Sequence, residues 1–407
     1  MKHRTTHRFL PALLLAGAIA ACTDRSSISA PSQPGTTPRA DAVPAGTSGA
    51  LYTFGQNTSY ALGLGDLSNR TAPTLVGTST IWTSVSQAML HGMAVRSDGT
   101  LWGWGRNDVG QIGTGDIVDK PNPVVVGTHT NWVAVATGRA HTIALRSDGS
   151  LWSWGINNFG SLGQGDLVNR ATPTRVGTAN DWAKIAAGYV RSFAIKTDGT
   201  LWGFGGNTAG SLGVGIAGGG PYSTPVQIGS ATNWQQVCTS NAGNFSAGIQ
   251  TDGSLWTWGA GANGQLGLGT TTDKYAPTRV GTATDWRSVD CGWTHTVAIK
   301  TSGTLFAWGA NGDGQIGVGD TKNKLSPVQV GAASDWIKAS AGAFHTVGIR
   351  LPGTLWAWGN NMLGQLGLSG TSDRKTPVQV GTLSDWRAVQ AGAGSGGNNS
   401  GTSGAIR

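Results

Sequence analysis

Pairs of aromatic residues two positions apart, bounded by a leucine and a glycine, recur along this chain at a nearly constant interval. Aromatics at this spacing share one face of an extended strand, so the pattern Leu-aromatic-x-aromatic-Gly predicts a strand with one buried face. The pattern returns every fifty residues, apart from one interval of fifty-four. This period predicts one supersecondary unit stacked seven times. The strands begin at Leu51, Leu101, Leu151, Leu201, Leu255, Leu305 and Leu355.

Each repeat holds three more short runs of strand-forming residues. One run precedes the leucine strand and is separated from it by Asp-Gly or Ser-Gly, as at Asp148-Gly149. Asp-Gly here predicts a tight two-residue hairpin turn with both residues at positive φ. A polar loop then ends at a proline such as Pro327, a third strand follows the proline, and a fourth begins at Trp336. Four short strands without a helical period are typical of a propeller blade.

The two ends of the chain carry the two halves of one hairpin. Ser403–Arg407 matches the first hairpin strand of the other repeats, and Ala50-Leu51 begins the second. Pairing between them would remove the open sheet edges of an unclosed stack. We therefore predict an all-β fold, a seven-bladed β-propeller over residues 48–407 that is closed by pairing of its N- and C-terminal strands.

The tryptophans recur with the same period as the strands. Of the eighteen tryptophans, all but Trp293 lie in a leucine strand or open a fourth strand. Burial of one tryptophan removes roughly 150–250 Å² from water. The other seventeen are therefore explained as core, without a ligand.

The charge content is low and carries no nucleic-acid pattern. Charged residues are 12% of the chain, and the formal net charge of +8 comes without a run of Lys or Arg. We expect no nucleic-acid partner. The chain also has no phosphate loop, nucleophile elbow or His-Glu-x-x-His motif. We therefore expect a monomer that has no cofactor, metal or catalytic residue and is not an enzyme, with a polysaccharide-acting enzyme as the alternative.

Residues 1–22 have the pattern of an export signal. Three basic residues precede an apolar run from Phe9 to Ala21, which is too short to span a bilayer. The sequence Ile19-Ala20-Ala21-Cys22 resembles the lipobox of bacterial lipoproteins. This resemblance implies cleavage before Cys22 and lipid attachment there, and several acyl chains on one residue anchor a protein stably.

Residues 23–47 are rich in Ser, Thr, Pro and Ala, which predicts a flexible tether. We expect the propeller at the bacterial envelope, on the outer membrane or cell surface, held to the membrane through the N-terminal lipid only. If the lipobox is not used, the protein would be secreted.

Two further cysteines, Cys238 and Cys291, lie at nearly equivalent sites in successive repeats. Export favours a disulfide between them. Packed sheets, however, stand ~10 Å apart, and a disulfide needs Cα atoms within ~7 Å. We expect two buried free thiols and keep the disulfide as the alternative.

The stretch Gly138–Asn157, continued by Gly163-Gln-Gly-Asp166, resembles the repeat of the regulator of chromosome condensation family. The resemblance covers residues 48–407 and implies a seven-bladed propeller. Eukaryotic members exchange guanine nucleotide on a nuclear GTPase, an activity that export argues against. A photoreceptor of the family uses a Gly-Trp-Arg-His-Thr motif in three blades, and only Gly292–Thr296 is similar here. Some secreted bacterial members inhibit β-lactamases, which fits the expected compartment.

Two recurring polar residues could be mistaken for ligand sites. Histidine fills one slot in four repeats, and we expect each imidazole to hydrogen-bond a neighbouring strand, because equivalent residues of adjacent blades stand too far apart to share a metal. Gly-Asp recurs in the loop after the leucine strand, and we expect the aspartate to bond amides of its own turn. These residues are His91, His141, His295 and His345, and Asp66, Asp116, Asp166 and Asp320.

The residues just before the histidine slot differ most between repeats, so blade geometry leaves them free. Aromatic and basic side chains dominate protein-binding hot spots. We predict that these residues bind a protein partner, with an envelope enzyme that is inhibited or regulated by the contact as one such partner. Glycan recognition and a filler role at the channel mouth are the alternatives. The predicted partner-binding residues are Trp293, Tyr189, Arg139, Met89 and Phe344.

Overall fold

The computed structural model describes residues 48–88, 90–392 and 401–407. The predicted signal peptide of residues 1–22 with Cys22, the tether of residues 23–47, and Met89 lie outside the described residues.

Seven four-stranded antiparallel sheets make up the described part of the chain, which contains no α-helix. The strands in chain order begin with β1 (Leu51–Gly55) and β2 (Arg70–Leu75). Blade 1 is β3 (Trp82–Gln87), β4 (His91–Arg96), β5 (Leu101–Gly105) and β6 (Lys120–Val125). Blade 2 is β7 (Trp132–Thr137), β8 (His141–Arg146), β9 (Leu151–Gly155) and β10 (Arg170–Arg175). Blade 3 is β11 (Trp182–Ala187), β12 (Arg191–Lys196), β13 (Leu201–Gly205) and β14 (Tyr222–Gln227).

The second half of the ring repeats this order. Blade 4 is β15 (Trp234–Thr239), β16 (Phe245–Gln250), β17 (Leu255–Gly259) and β18 (Lys274–Arg279). Blade 5 is β19 (Trp286–Cys291), β20 (His295–Lys300), β21 (Leu305–Gly309) and β22 (Lys324–Gln329). Blade 6 is β23 (Trp336–Ala341), β24 (His345–Arg350), β25 (Thr354–Gly359) and β26 (Arg374–Gln379). Blade 7 combines β27 (Ala388–Ala391) and β28 (Thr402–Ile406) with β1 and β2, and short 3-10 turns lie at Thr58–Tyr60 and Thr208–Gly210.

Blade 7 closes the ring as the sequence predicts. The C-terminal β28 pairs with the N-terminal β1 in antiparallel register, from Leu51 opposite Ile406 to Gly55 opposite Thr402. The backbones of Ala50 and Arg407 add a reciprocal pair of hydrogen bonds at 2.9 and 3.0 Å. The all-β, seven-bladed, closed fold is therefore confirmed.

The first strand of each blade is its inner strand, and the seven inner strands contact one another in order around the ring. We call the turn from the inner strand to the second strand of a blade its inner turn. In blades 1 to 6, two tryptophans of the same blade pack edge to face, as Trp336 and Trp358 do with ring centroids 5.6 Å apart. In blade 7, Trp386 packs against Tyr52 instead.

The turn after the second strand differs from the predicted two-residue hairpin. Within the blade 1 turn only Gly99 has positive φ (74°), Gly99 N–H bonds the Arg96 carbonyl, and Arg96 N–H bonds the Thr100 carbonyl. Three residues thus form the loop, with the glycine as a bulge. Asp98 instead serves through its side chain, which accepts hydrogen bonds from the Thr100 N–H and hydroxyl.

The outer strand begins before its proline, which corrects the prediction that it follows the proline. In blade 5 the strand starts at Lys324, and Pro327 lies inside it. The pairing with β21 is irregular there, with Gly309 opposite Lys324 and Ala307 opposite Val328. Proline is tolerated because this strand lies at the sheet edge, where one side has no neighbouring strand and the missing proline N–H costs no hydrogen bond.

The expectation that all of the recurring tryptophans are core holds for only part of them. The second aromatic of the leucine strand is fully buried, as Trp104 and Trp154 are. The first is half-buried, as Trp102 and Trp152 are. In blades 1, 2, 3, 5 and 6 a cation from the end of the second strand lies over its ring. The guanidinium of Arg96 lies 3.7 Å from the centroid of Trp102.

The cysteine prediction was wrong: Cys238 and Cys291 form a disulfide, with Cα atoms 5.7 Å apart. Both residues lie on inner strands, β15 and β19, which converge on the axis. The spacing of stacked sheets therefore does not apply to them. Cys238 is directed at the following blade and Cys291 at the preceding one, within disulfide distance.

Candidate functional site

The inner turns carry the residues that the sequence singles out. Each turn lies between a channel-lining inner strand and the strand that begins with the histidine slot, so the turns gather at one mouth of the ring. Backbone hydrogen bonds join neighbouring turns. The N–H groups of Arg139, Tyr189 and Trp293 bond the carbonyls of Gly188, Ser240 and Gly342, at 3.2, 3.0 and 3.1 Å.

Arg139 and Tyr189 meet across the boundary between blades 2 and 3. Arg139 Nη1 donates to the Tyr189 hydroxyl at 2.8 Å, and its guanidinium carbon lies 4.9 Å from the ring centroid. Arg139 is exposed and Tyr189 is half-buried. The tyrosine ring thus holds the guanidinium in place while leaving it in contact with solvent.

Trp293 and Phe344 meet in the same way between blades 5 and 6. Their ring centroids are 4.9 Å apart with an interplanar angle of 49°, and both side chains are half-buried. An aromatic pair at this distance is held by direct ring contact.

The inner turn of blade 4 joins the two pairs. The carbonyl of Ser240 accepts from the N–H of Tyr189, and the hydroxyl of Ser240 donates to the carbonyl of Trp293 at 3.0 Å. Buried Ser240 therefore connects the Arg139–Tyr189 pair to the Trp293–Phe344 pair through hydrogen bonds. We call these five residues the inner-turn arc. Ser240 was missed from sequence because its turn has no aromatic or basic residue, and Met89 lies outside the described residues.

A buried arginine holds the blade 4 turn in position. Arg191 replaces histidine in the slot of blade 3 and is 0% exposed. Its Nε donates to the Thr239 hydroxyl at 2.8 Å, and its Nη2 donates to the Gly243 carbonyl. Burial lowers the pKa of Arg191 to about 9. The departure from histidine was visible in the sequence, but the segment it bonds was not.

The histidine slot is structural, as predicted. Each imidazole Nε2 lies 3.0–3.2 Å from a hydroxyl in the second strand of the next blade. Burial lowers the pKa of His91 and His295 to about 3 and of His141 and His345 to about 4. The rings are therefore neutral at neutral pH. The hydroxyl partners are Thr142, Ser192, Thr346 and Ser403.

The Gly-Asp aspartates also behave as predicted. Asp116 accepts from the Val118 N–H at 3.0 Å, and it forms an ion pair with Lys120 at 2.8 Å. Asp66, Asp166 and Asp320 make the matching contacts. Among the described residues, no group of three or more His, Cys, Asp or Glu could hold a metal ion.

The charge of Asp373 in blade 6 acts on Asp313 in blade 5, which the sequence does not reveal. Burial raises the pKa of half-buried Asp313, the amide of Asn360 opposes this with a 3.0 Å hydrogen bond, and exposed Asp373 adds to the rise. These two residues come from equivalent loops of successive blades. Substitution of Asp313 is therefore the appropriate change in a test for hydrolytic activity.

The architecture and the ring of inner turns define a seven-bladed β-propeller built from one repeated blade. The regulator of chromosome condensation (RCC1) repeat matches residues 48–95, 98–145, 148–195, 252–299, 302–349 and 352–397, and a second model of that repeat matches 132–161, 182–211, 286–315 and 336–365. These matches cover more than half of the chain, which therefore belongs to the RCC1 repeat family.

Solved structures share the fold at low sequence identity. Prp20p of Saccharomyces cerevisiae, studied for its binding to Gsp1p and histones, has a TM-score of 0.78 at 18% identity and covers 90% of this chain and 93% of its own. Human WBSCR16 has a TM-score of 0.76 at 20% identity and covers 88% and 98%. The ultraviolet-B receptor UVR8 of Arabidopsis thaliana is 45% identical over 56 residues, which are 13% of this chain and 12% of the receptor.

Proposed function

We propose that this protein is a protein-binding module of the bacterial envelope, exported and anchored through lipid on Cys22, that contacts its partner with the inner-turn arc. The observation that carries the proposal is the continuity of that arc across five blades. A partner enzyme that is inhibited or regulated by this contact fits the arrangement. The protein itself performs no catalysis in this proposal.

The chemistry of the arc suits a protein partner. Arginine, tyrosine and tryptophan are the residue types enriched at hot spots, and those in the arc are positioned before binding by each other and by Ser240. Fixed side chains lose little entropy on association. Prp20p, a structural neighbour, has also been solved with Kap60 bound.

The disulfide supports the exported location. A bridge between Cys238 and Cys291 forms and persists in an oxidising compartment. Among the described residues, no helix is long and apolar enough to cross a membrane. In this proposal the lipid on Cys22 is the anchor, and Cys22→Ser should move the protein from the membrane fraction to the soluble envelope fraction.

Cross-linked co-purification from envelope tests the binding proposal. We expect a stoichiometric protein partner that is reduced at least tenfold by Arg139→Ala with Tyr189→Ala, and again by Trp293→Ala with Phe344→Ala. Leu351→Ala is the matched control, because this side chain is 58% exposed but lies in a turn at the opposite end of the strands. A partner retained by both double variants would refute the arc as the binding surface.

A glycan is the second candidate ligand, favoured by the half-exposed Trp293–Phe344 pair. Aromatic faces stack on sugar rings, and the pair would then act without Arg139. Binding on a glycan array that is lost in Trp293→Ala but kept in Arg139→Ala would support this function. Turnover of a polysaccharide that is lost in Asp313→Asn would instead indicate an enzyme.

A further inference from the structure

A pocket at the boundary of blades 1 and 2 lies away from the inner-turn arc. Arg146 ends β8, whose first residue, His141, follows the inner turn of Arg139. Six strand residues separate the two ends by roughly 17 Å. The pocket has a volume of about 250 Å³ and is lined by Arg146, Trp132, Trp152, His129, Thr114 and Pro173, among others.

Arg146 lies between two tryptophans and, within the described residues, forms no ion pair with a carboxylate. Its guanidinium carbon lies 3.7 Å from the ring centroid of Trp152 and 4.5 Å from that of Trp132. The residue is 8% exposed, and its Nε and Nη2 have no hydrogen-bond acceptor in the part of the chain that the structure describes. An arginine is always charged, so burial without an acceptor is costly.

Sister blades show what normally occupies this position. In four of them the cation at the end of the second strand pairs with the aspartate that precedes the inner-strand tryptophan. The N–O distances are 3.2, 3.0, 2.7 and 2.7 Å for Lys196–Asp181, Lys300–Asp285, Arg350–Asp335 and Arg407–Asp385.

Blades 1, 2 and 4 depart from this pairing in different ways. Blade 4 replaces both members with neutral residues, and Asn233 donates to Gln250 at 3.3 Å. Blade 2 keeps the cation, Arg146, but has Asn131 in place of the aspartate. Blade 1 keeps Arg96 and has Ile81 there. The cation therefore lacks this aspartate partner in blades 1 and 2, and the pocket lies beside the cation of blade 2, Arg146.

Histidine appears in the loop before the inner strand only in blade 2. His129 is exposed, and its ring centroid lies 6.4 Å from that of Trp132 and 6.2 Å from that of Trp152. The equivalent residues are Ser79, Ala179, Ala231, Ala283, Ala333 and Leu383. A second nitrogen donor thus stands at the mouth of the pocket that contains Arg146.

We propose that this pocket binds a carboxylate, the Asp or Glu side chain of a protein partner, which replaces the aspartate missing from blade 2. An aspartate side chain fills the matching position in four sister blades, so the geometry already accepts that group. The pocket is smaller than the ~300–1,000 Å³ of sites for drug-sized ligands and suits one side chain. This second contact does not rest on the inner-turn arc.

Titration with acetyl-Gly-Asp-Gly-amide, followed by ligand-observed NMR, tests the proposal on the purified protein. We expect the peptide to bind about tenfold more tightly than its Asn counterpart, because hydrogen bonds to charged groups are the stronger ones. Asn131→Asp should abolish binding, since it recreates the internal ion pair of the sister blades. Ile81→Asp recreates the same pair in blade 1 and should leave binding unchanged.

Arg146→Gln should also abolish binding, and Asn131→Asp covers the case in which that variant fails to fold. Equal affinity for the two peptides, no binding of either, or binding that survives Asn131→Asp would overturn the proposal. If D-glucuronate binds, the Asp peptide does not, and Asn131→Asp abolishes the binding of D-glucuronate, the proposed protein partner is wrong. The pocket would then bind the carboxylate of an acidic glycan. Loss of peptide binding in the Arg139 and Tyr189 variants would contradict the independence of the two surfaces.

Discussion

The carboxylate of Asp290 in blade 5 accepts a hydrogen bond from the backbone N–H of Ala341 in blade 6, with an N–Oδ2 distance of 2.9 Å. The same pair of inner-strand positions is joined at other boundaries. Ser86 accepts from the Thr137 N–H, and Ser340 accepts from the Ala391 N–H, both at 3.0 Å. Between blades 4 and 5 these positions are Cys238 and Cys291, and the hydrogen bond is replaced by a covalent bond.

Asp290→Ala should therefore weaken the boundary between blades 5 and 6. The variant leaves the Ala341 N–H without its acceptor, and an unsatisfied buried donor costs about 1–3 kcal/mol. Urea titration should show this loss in the free energy of unfolding. Blades 2 and 3 have Ala136 and Ala186 at this position, so alanine itself is compatible with the strand. An unchanged transition midpoint would show that this bond does not stabilise the ring.

Reduction of the disulfide should destabilise the propeller. The bridge closes a loop with a sequence separation of 53 residues. In the chain-entropy account, a loop of this length contributes about 4 kcal/mol. Cys238→Ser with Cys291→Ser should lower the free energy of unfolding by about this amount, and dithiothreitol should have no further effect on that variant. If reductant leaves the wild-type denaturation curve in place, the bridge does not form in solution.

Deletion of Ala405–Arg407 should lower the melting temperature by many degrees. The deletion removes fully buried Ile406 and the reciprocal bonds between Ala50 and Arg407. Loss of a large buried aliphatic side chain alone costs about 2–5 kcal/mol. Calorimetry would measure the shift. Arg407→Ala, which keeps the backbone pairing, should lower the melting temperature far less, and equal effects of the two changes would argue against closure by β28.

Acidification below pH 6.5 should destabilise the protein through the four slot histidines. Burial holds their pKa values near 3 or 4, whereas the unfolded chain takes up protons near 6.5. The unfolded state therefore binds more protons as the pH falls, and stability is lost. Each histidine should cost about 2 kcal/mol between pH 7 and pH 5.

Urea titration at pH 5, 6, 7 and 8 checks this dependence. Between pH 7 and 8 the four histidines together should change the free energy of unfolding by less than about 1 kcal/mol. His295→Gln should reduce the loss between pH 7 and 5 by roughly one quarter. A loss that is the same in the variant and the wild type would show that His295 is not buried in its neutral form.

Local pattern made most of the fold predictable. The alternation around Leu101 or Leu305 predicts a half-buried strand. The number of times this pattern recurs predicts the number of blades. The start of the outer strand was not predictable, because proline commonly marks a strand boundary whereas a sheet edge tolerates Pro327 inside the strand. The hairpin turn has three residues rather than the predicted two, because Asp98 acts through its side chain and only Gly99 of this turn has positive φ.

The candidate surface was predictable only in part. Variation between repeats identified Arg139, Tyr189, Trp293 and Phe344, because blade geometry leaves their positions free. Their pairing across blade boundaries, and the bridge through Ser240, depend on which turns are neighbours in the ring. The role of Arg146 was not predictable from the sequence, because the missing carboxylate is recognised only by comparison with the ion pairs of the sister blades.

The sequence by itself determined the repeated strands, their buried faces, the number of blades and the closing hairpin, because each depends on residues close together in the chain or on a fixed period. Tertiary structure alone decided what meets across the blade boundaries. Cys238 reaches Cys291, and Arg139 reaches Tyr189, because the inner strands converge on one axis. That convergence arises from the packing of all seven blades together, and no single fifty-residue repeat contains it.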